Sequence, residues 1–243
     1  MNIRLVIEYD GTSYHGYQIQ KNGNSVQEEL ENALKKIIRD PFILYCAGRT
    51  DTGVHAKGQV CNFKCENPKV PVTEMQNALN GILPKDISVK ECETVSEDFN
   101  SRYSAKERIY RYVILNSQSR SPIAERYSWH VKANLSLEDM QKAASFLEGT
   151  HDFRAFTCAS FTETCVRNVN YIKICRDGEF VNIDISANAF TRSMVRNIVG
   201  TLTEVGRGKR KVEEIQFILH SEDRRNAGLC APAKGLFLLR IEY

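Results

Sequence analysis

The order in which strand and helix patterns follow one another constrains this chain more than any other feature. Ile3 to Tyr9 is rich in β-forming residues, partly alternates, and stops at Asp10-Gly11. A polar and aromatic loop follows, with Tyr14, His15, Tyr17, Gln18 and Gln20. Ser25-Val-Gln-Glu28 is a capping-box pattern, after which Val26, Leu30, Ala33, Leu34, Ile37 and Ile38 recur at helical spacing until Asp40-Pro41. Phe42 to Ala47 and Gly58 to Lys64 read as strands on either side of a polar loop. Thr73-Glu-Met-Gln76 is a second capping box, opening a short helix with Met75, Ala78 and Leu79 inward, and Ile87 to Thr94 reads as a strand. Strand, helix, strand, strand, helix, strand is the split βαβ order of ferredoxin-like folds.

The second half repeats that order in outline. Arg108 to Leu115 is a strand pattern, and Ser136-Leu-Glu-Asp139 starts a helix with Leu137, Met140, Ala144 and Leu147 on one stripe. Val169 to Arg176 and Glu179 to Ser186 flank Asp177-Gly178, a hairpin signal. An apolar helix runs from Met194 to Gly206, another pattern spans Val212 to His220, and Gly235 to Tyr243 closes as a strand. The expected class is α+β, in two ferredoxin-like halves, residues 1–104 and 105–243. No low-complexity linker separates them, and no residue-level repeat relates them.

The 243 residues suffice for a large core, and a net charge of +3 does not by itself declare a nucleic-acid binder. The eight cysteines form no Cys-x-x-Cys pair and no zinc-like cluster, so no metal site is expected. The chain begins Met-Asn-Ile-Arg and enters a strand directly, and no apolar run approaches membrane-spanning length. A cytoplasmic protein with reduced cysteines and no membrane partner is the expectation.

Chemistry concentrates in Ala47-Gly-Arg-Thr-Asp-Thr-Gly-Val-His-Ala56, between two strand patterns. On composition it is a turn whose aspartate satisfies nearby N–H groups. Its density argues for more: Arg49, Thr50, Asp51, Thr52 and His55 crowd one connection. A carboxylate beside a guanidinium favours its charged form, which suits a nucleophile or charge stabiliser better than a general acid. Asp51-Thr-Gly53 spells the aspartic-protease triplet, but no second copy supplies the other carboxylate. The run Phe99 to Tyr112 carries four cations and one acid among aromatics, a pattern that suits phosphates and unpaired bases. Alternation along it puts Tyr110 and Tyr112 on one face. Arg192 and Arg196, spaced i, i+4, are expected to share a helix face. Gly206-x-Gly208-Lys209 lacks P-loop spacing, and His15 and His151 lack a serine or cysteine elbow.

Taken together, five segments resemble the tRNA pseudouridine synthase A family over nearly the whole chain. They are Tyr9 to Gln20, Gly48 to Ala56, Arg108-Ile-Tyr-Arg-Tyr112, Asn188 to Gly200 and Ala227 to Leu236, in the family's order. The resemblance implies two ferredoxin-like halves sharing one extended, mostly antiparallel sheet, with helices on one face and a cleft between the halves. It implies isomerisation of uridine to pseudouridine at positions 38, 39 and 40 of the anticodon stem-loop, by a homodimer that clasps tRNA, with no metal or cofactor. Residue by residue, Asp51 falls on the catalytic aspartate, the expected nucleophile. Arg49 falls on an arginine that contacts the flipped nucleotide, Tyr110 on the tyrosine that stacks on the base, and Arg196 on the arginine that pairs with the aspartate. Phe99, Asn100, Ser101, Arg102 and Tyr103 fall on a segment that touches RNA. Attack at C1′, attack at C6 and proton abstraction from the sugar all remain open for Asp51.

The chain departs from the family pattern in places. Tyr17 stands where tryptophan is usual, Cys230 where threonine is common, Thr191-Arg192-Ser193 is unusual, and the loop Thr157 to Thr164 carries Glu163 and little positive charge. These leave room for a paralogue acting on other tRNA or ribosomal RNA uridines, or for a non-catalytic RNA-binding protein.

Overall fold

The computed structural model describes residues 1–21, 23–158 and 164–243; the stretch 159–163, with Glu163 of the acidic loop, lies outside the described residues. The chain divides into two compact units, Met1–Lys106 with Phe237–Tyr243, and Glu107–Leu236.

In the first unit, β1 (Asn2–Tyr9) buries Ile3, Leu5, Ile7 and Tyr9, the alternation of a strand with one face on a core. Ser25 caps α1 (Val26–Ile37) by accepting from the Glu28 N–H, and Leu30 and Leu34 of its apolar stripe are fully buried. Next come β2 (Tyr45–Cys46), β3 (His55–Lys64), α2 (Val72–Ile82) and β4 (Ile87–Val95). β1 pairs antiparallel with β4 and with β3, and β2 pairs antiparallel with β3. The order β4-β1-β3-β2 is the ferredoxin-like arrangement that the split βαβ pattern predicts.

Three local expectations change. The strand read over Phe42 to Ala47 contracts to Tyr45 and Cys46, because Phe42 turns its ring onto Phe63 at 5.8 Å instead of continuing the ladder. α2 begins at Val72 behind Pro71, so Thr73 lies inside the helix rather than capping it. The Gln76 amide donates instead to the Val89 and Lys90 carbonyls of β4. β3 begins at His55 rather than Gly58, which leaves the Asp51 connection short and tight.

In the second unit, β5 (Glu107–Leu115) is followed by β6 (Trp129–His130), α3 (Leu137–Ser145), β7 (Gly149–Asp152), β8 (Val166–Asp177), β9 (Phe180–Ala187), α4 (Met194–Gly206) and α5 (Glu214–Ser221). Antiparallel pairing gives the order β5-β9-β8-β7, with β6 parallel on β5. The β8–β9 hairpin turns at Gly178-Glu179, one residue beyond the expected Asp177-Gly178, because Asp177 still pairs with Phe180 and Gly178 takes the positive φ of +57° as the first loop residue. α4 is buried almost all round: of its thirteen residues only Arg196 and Glu204 are not buried. The chain closes on β10 (Leu236–Glu242), which pairs in parallel with β3 at His55 and Ala56. In this way β3 has β1 on one edge and both β2 and β10 along the other.

Candidate active site

Asp51 sits at the tip of the connection between β2 and β3, half-buried, with Arg49 exposed beside it. The tip is a turn in which the Val54 N–H donates to the Asp51 carbonyl at 3.1 Å, and Gly53 takes φ +76°. What fixes this turn is the segment just after β1. Tyr17 N–H donates to the Thr50 carbonyl (3.1 Å) and Gly53 N–H to the Tyr14 carbonyl (3.3 Å). The Tyr9 hydroxyl meets Thr50 Oγ1 at 2.8 Å in a buried contact.

Two glycines let the segments close. Gly16, at φ +99°, packs where a Cβ would lie 2.7 Å from the Thr50 carbonyl oxygen, and at Gly11 a Cβ would lie 2.0 Å from that of Val54. His55 Nδ1 accepts from the Gly11 N–H at 3.1 Å, and its ring stacks on Phe237 at 4.8 Å. His55 is therefore a buried strut here, and the Tyr9–Gln20 motif is the cradle of the Asp51 turn. Tyr17, the residue standing in for tryptophan, is fully buried under this assembly with its hydroxyl on Cys61 Sγ at 3.0 Å; burial pushes that hydroxyl well above its ordinary pKa.

Of the five residues expected to touch RNA, Arg102 and Tyr103 face solvent, Tyr103 being 76 % exposed. The Arg102 guanidinium lies 5.3 Å from the Tyr103 ring, within cation–π range. Ser101 is buried, and the Phe99 ring packs against Tyr243 at 4.8 Å. Asn100 accepts from the Arg102 and Tyr103 N–H groups at 2.9 and 3.2 Å. Burial raises the Cys46 thiol to about 11, and the positive charges of Arg49 and Arg102 both act against that rise. Cys46 ends β2, and Arg49 lies three residues on in the connection that carries Asp51.

In the second unit, Tyr110 and Tyr112 share a face of β5, opposite Ile185 and Ile183 of β9. Tyr110 is 7 % exposed and meets Phe190 edge-on at 5.1 Å. Arg111, on the other face, gives a bidentate pair to Asp184 at 2.7 and 2.7 Å, and Arg108 donates to the Asn188 carbonyl at 2.6 Å. Both of these cations serve the sheet.

Arg196 Nε donates to the Ala231 carbonyl at 2.7 Å, while Ala231 N–H donates back to the Arg196 carbonyl at 3.1 Å. The segment Ala227 to Ala231 lies flat on α4 because position 200 is glycine: a Cβ there would lie 1.7 Å from the Leu229 oxygen. The Gly228 N–H and the Leu229 N–H bond Thr201 Oγ1 and the Glu204 carboxylate. Burial drives the Tyr112 hydroxyl far up, and that hydroxyl donates to the Pro232 carbonyl at 2.7 Å, next to the Ala231 that Arg196 holds.

Arg192 corrects an expectation. It precedes α4, separated from the helix by Ser193 at φ +58°, so the left-handed residue breaks the helical spacing and Arg192 does not share a face with Arg196. The sequence did not flag Asn2, Asn62, Thr50 or Glu204 as supports, because each is a polar residue whose partner lies far along the chain; the close approaches at Gly11, Gly16 and Gly200 are likewise visible only in the fold. Among the described residues no group of three or more His, Cys, Asp or Glu side chains is placed to hold a metal ion, and no helix is long and apolar enough to cross a membrane.

Comparison with known proteins identifies the family of the chain. A family model described as tRNA pseudouridine synthase matches residues 5–104 and 143–243. A protein of Thermoanaerobacter pseudethanolicus named tRNA pseudouridine synthase A is 48 % identical over 243 residues, 100 % of this chain and 99 % of that one. Proteins of the same name from Acetivibrio thermocellus and Aliivibrio salmonicida are each 46 % identical, covering 100 % of this chain and 99 % and 93 % of theirs. With a matched profile over both units and full-length relatives at this identity, the chain belongs to the tRNA pseudouridine synthase A family.

Proposed function

We propose that the protein isomerises uridine to pseudouridine in the anticodon stem-loop of tRNA, at positions 38, 39 and 40, acting as a cytoplasmic homodimer. The observation that carries this reading is the Asp51 turn: in a member of this family, a half-buried carboxylate is held at a loop tip by three backbone and hydroxyl contacts from the Tyr9–Gln20 segment. A nucleophile held rigidly needs little reorganisation to reach its target.

The reaction breaks the N1–C1′ bond, turns the uracil and joins C5 to C1′; C5 gives up its proton and N1 gains one, so nothing from outside is consumed. Asp51 acts as the nucleophile, and Arg196 stabilises negative charge as it moves during the reaction. The Tyr110 ring, steadied edge-on by Phe190, stacks on the uracil and retains it while it is detached. Arg49 and Arg102 meet the RNA backbone, and Tyr103 offers an exposed ring to a base. Phe99, Asn100 and Ser101 shape the turn that presents them.

The test is a pseudouridine map of unmodified tRNA transcripts after incubation with the protein. Product at 38, 39 and 40 is expected. Product only at other uridines overturns the assigned positions, and no product from any transcript, under conditions where another family member works, overturns the activity.

A further inference from the structure

Asn2 and Asn62 are buried primary amides on neighbouring strands, 0 % and 2 % exposed. Burying such a group is costly unless its hydrogen bonds are made, and an apolar pair would fill the same space at no such cost. Of the five hydrogen bonds these two amides make among the described residues, three reach the backbone of Phe99 and Ser101. Asn62 Nδ2 donates to Asn2 Oδ1 (3.0 Å) and to the Phe99 carbonyl (3.3 Å), and its Oδ1 accepts from the Ser101 N–H (2.8 Å). Asn2 Nδ2 donates to the Phe99 and Ser96 carbonyls, both at 2.9 Å. From above, the Tyr243 hydroxyl donates to the Ser101 carbonyl at 2.9 Å.

The backbone of residues 99–101 is thus bonded on both sides, while the two residues that follow, Arg102 and Tyr103, project into solvent. Asn62 is also the cross-strand partner of Tyr45 on β2, the strand that leads into the connection carrying Arg49 and Asp51.

We propose that Asn2 and Asn62 are positioning residues for tRNA binding: together they fix the 99–101 backbone so that Arg102 and Tyr103 meet a phosphate and an unpaired base in a set geometry. The inference rests on the RNA-contact role assigned above to that segment. The pair touches no substrate and acts through the turn it holds, so it governs how well tRNA is bound rather than how fast bound uridine reacts.

The experiment is steady-state pseudouridine formation with a tRNA transcript, using Asn62→Ala, the double variant Arg102→Ala/Tyr103→Ala, and the triple combination. The expected result for Asn62→Ala is a KM raised about tenfold with kcat within about twofold, and little further rise when the change is added to the double variant, because the residues act as one unit. A lowered kcat at unchanged KM, or effects that multiply in the triple variant, overturns the proposal. An unchanged KM in the double variant overturns the RNA-contact role itself, and the proposal with it. Should Asn62→Ala not fold, hydrogen exchange on the unaltered protein decides: the Ser101 N–H must be protected like a strand amide, and exchange at the rate of an open loop overturns the mount.

Discussion

Gly16→Ala tests the claim that the Tyr9–Gln20 segment sets the Asp51 turn. Two effects are separable. The first is backbone strain, since an alanine at φ +99° costs about 1–2 kcal/mol in a region that suits glycine. The second is a collision: the new Cβ would lie 2.7 Å from the Thr50 oxygen and 3.3 Å from the Asp51 carbonyl carbon, both backbone atoms. Ordinary contact begins at 3.4 Å, so the turn must retreat by roughly 0.7 Å.

A misplacement near 1 Å can cost on the order of a hundredfold in rate, so kcat should fall by about 10- to 100-fold. Gly178→Ala is the control, with φ +57° and nothing within 4 Å of its Cβ. Each variant should lower Tm by about 2–8 °C, at roughly 2–4 °C per kcal/mol for a chain of this size. Single-turnover pseudouridine formation below both melting points then isolates the collision. Equal rates for the two variants would show that the contact at Gly16 does not position Asp51.

Gly200→Ala puts a Cβ 1.7 Å from the Leu229 oxygen, so overpacking of about 1–3 kcal/mol should lower Tm and loosen the segment that holds Arg196; a melt unchanged from the parent would refute it. Tyr110→Phe keeps the ring and should hold kcat within about tenfold, whereas Tyr110→Ala removes base stacking, valued at about 1–3 kcal/mol, and should lose roughly 5- to 150-fold in single-turnover rate. Burial raises the Cys46 and Cys92 thiols from 9.0 to about 11. The folded state holds these protons more tightly, so that stability is complete below pH 9 and is lost as pH climbs through about 11. A Tm-against-pH curve should fall over that window, and less steeply in a Cys46→Ser/Cys92→Ser variant.

Much of the fold could be read from local pattern because local physics made it. The Ser25 cap and its apolar stripe, the β8–β9 hairpin (though it turns one residue later than expected) and the apolar run of α4 are each settled within a dozen residues or so. What misled was local too: Thr73-Glu-Met-Gln76 spells a cap, yet Pro71, unable to donate and pre-set for a helix entry, starts α2 earlier. Composition made Phe42 to Ala47 a strand, but Phe63, twenty-one positions on, draws the Phe42 ring away.

The site divides along the same line. Asp51, Arg49 and Tyr110 were legible as residue types in motifs. Their supports were not, because Thr50 with Tyr9, Asn62 with Ser101 and Glu204 with Leu229 meet only once the chain has folded. The i, i+4 spacing of Arg192 and Arg196 suggested a shared face, which only a helix continuous through Ser193 could have provided.

The most direct measurement of the central claim is pseudouridine formation by Asp51→Asn, read beside tRNA binding and thermal stability of the same variant. The side chain keeps its shape and loses its charge and nucleophilicity, while the backbone bonds that hold the turn involve no carboxylate oxygen. The account predicts a folded protein that binds tRNA as the parent does and forms no pseudouridine. Turnover at a rate near that of the parent would remove Asp51 from the chemistry and contradict it.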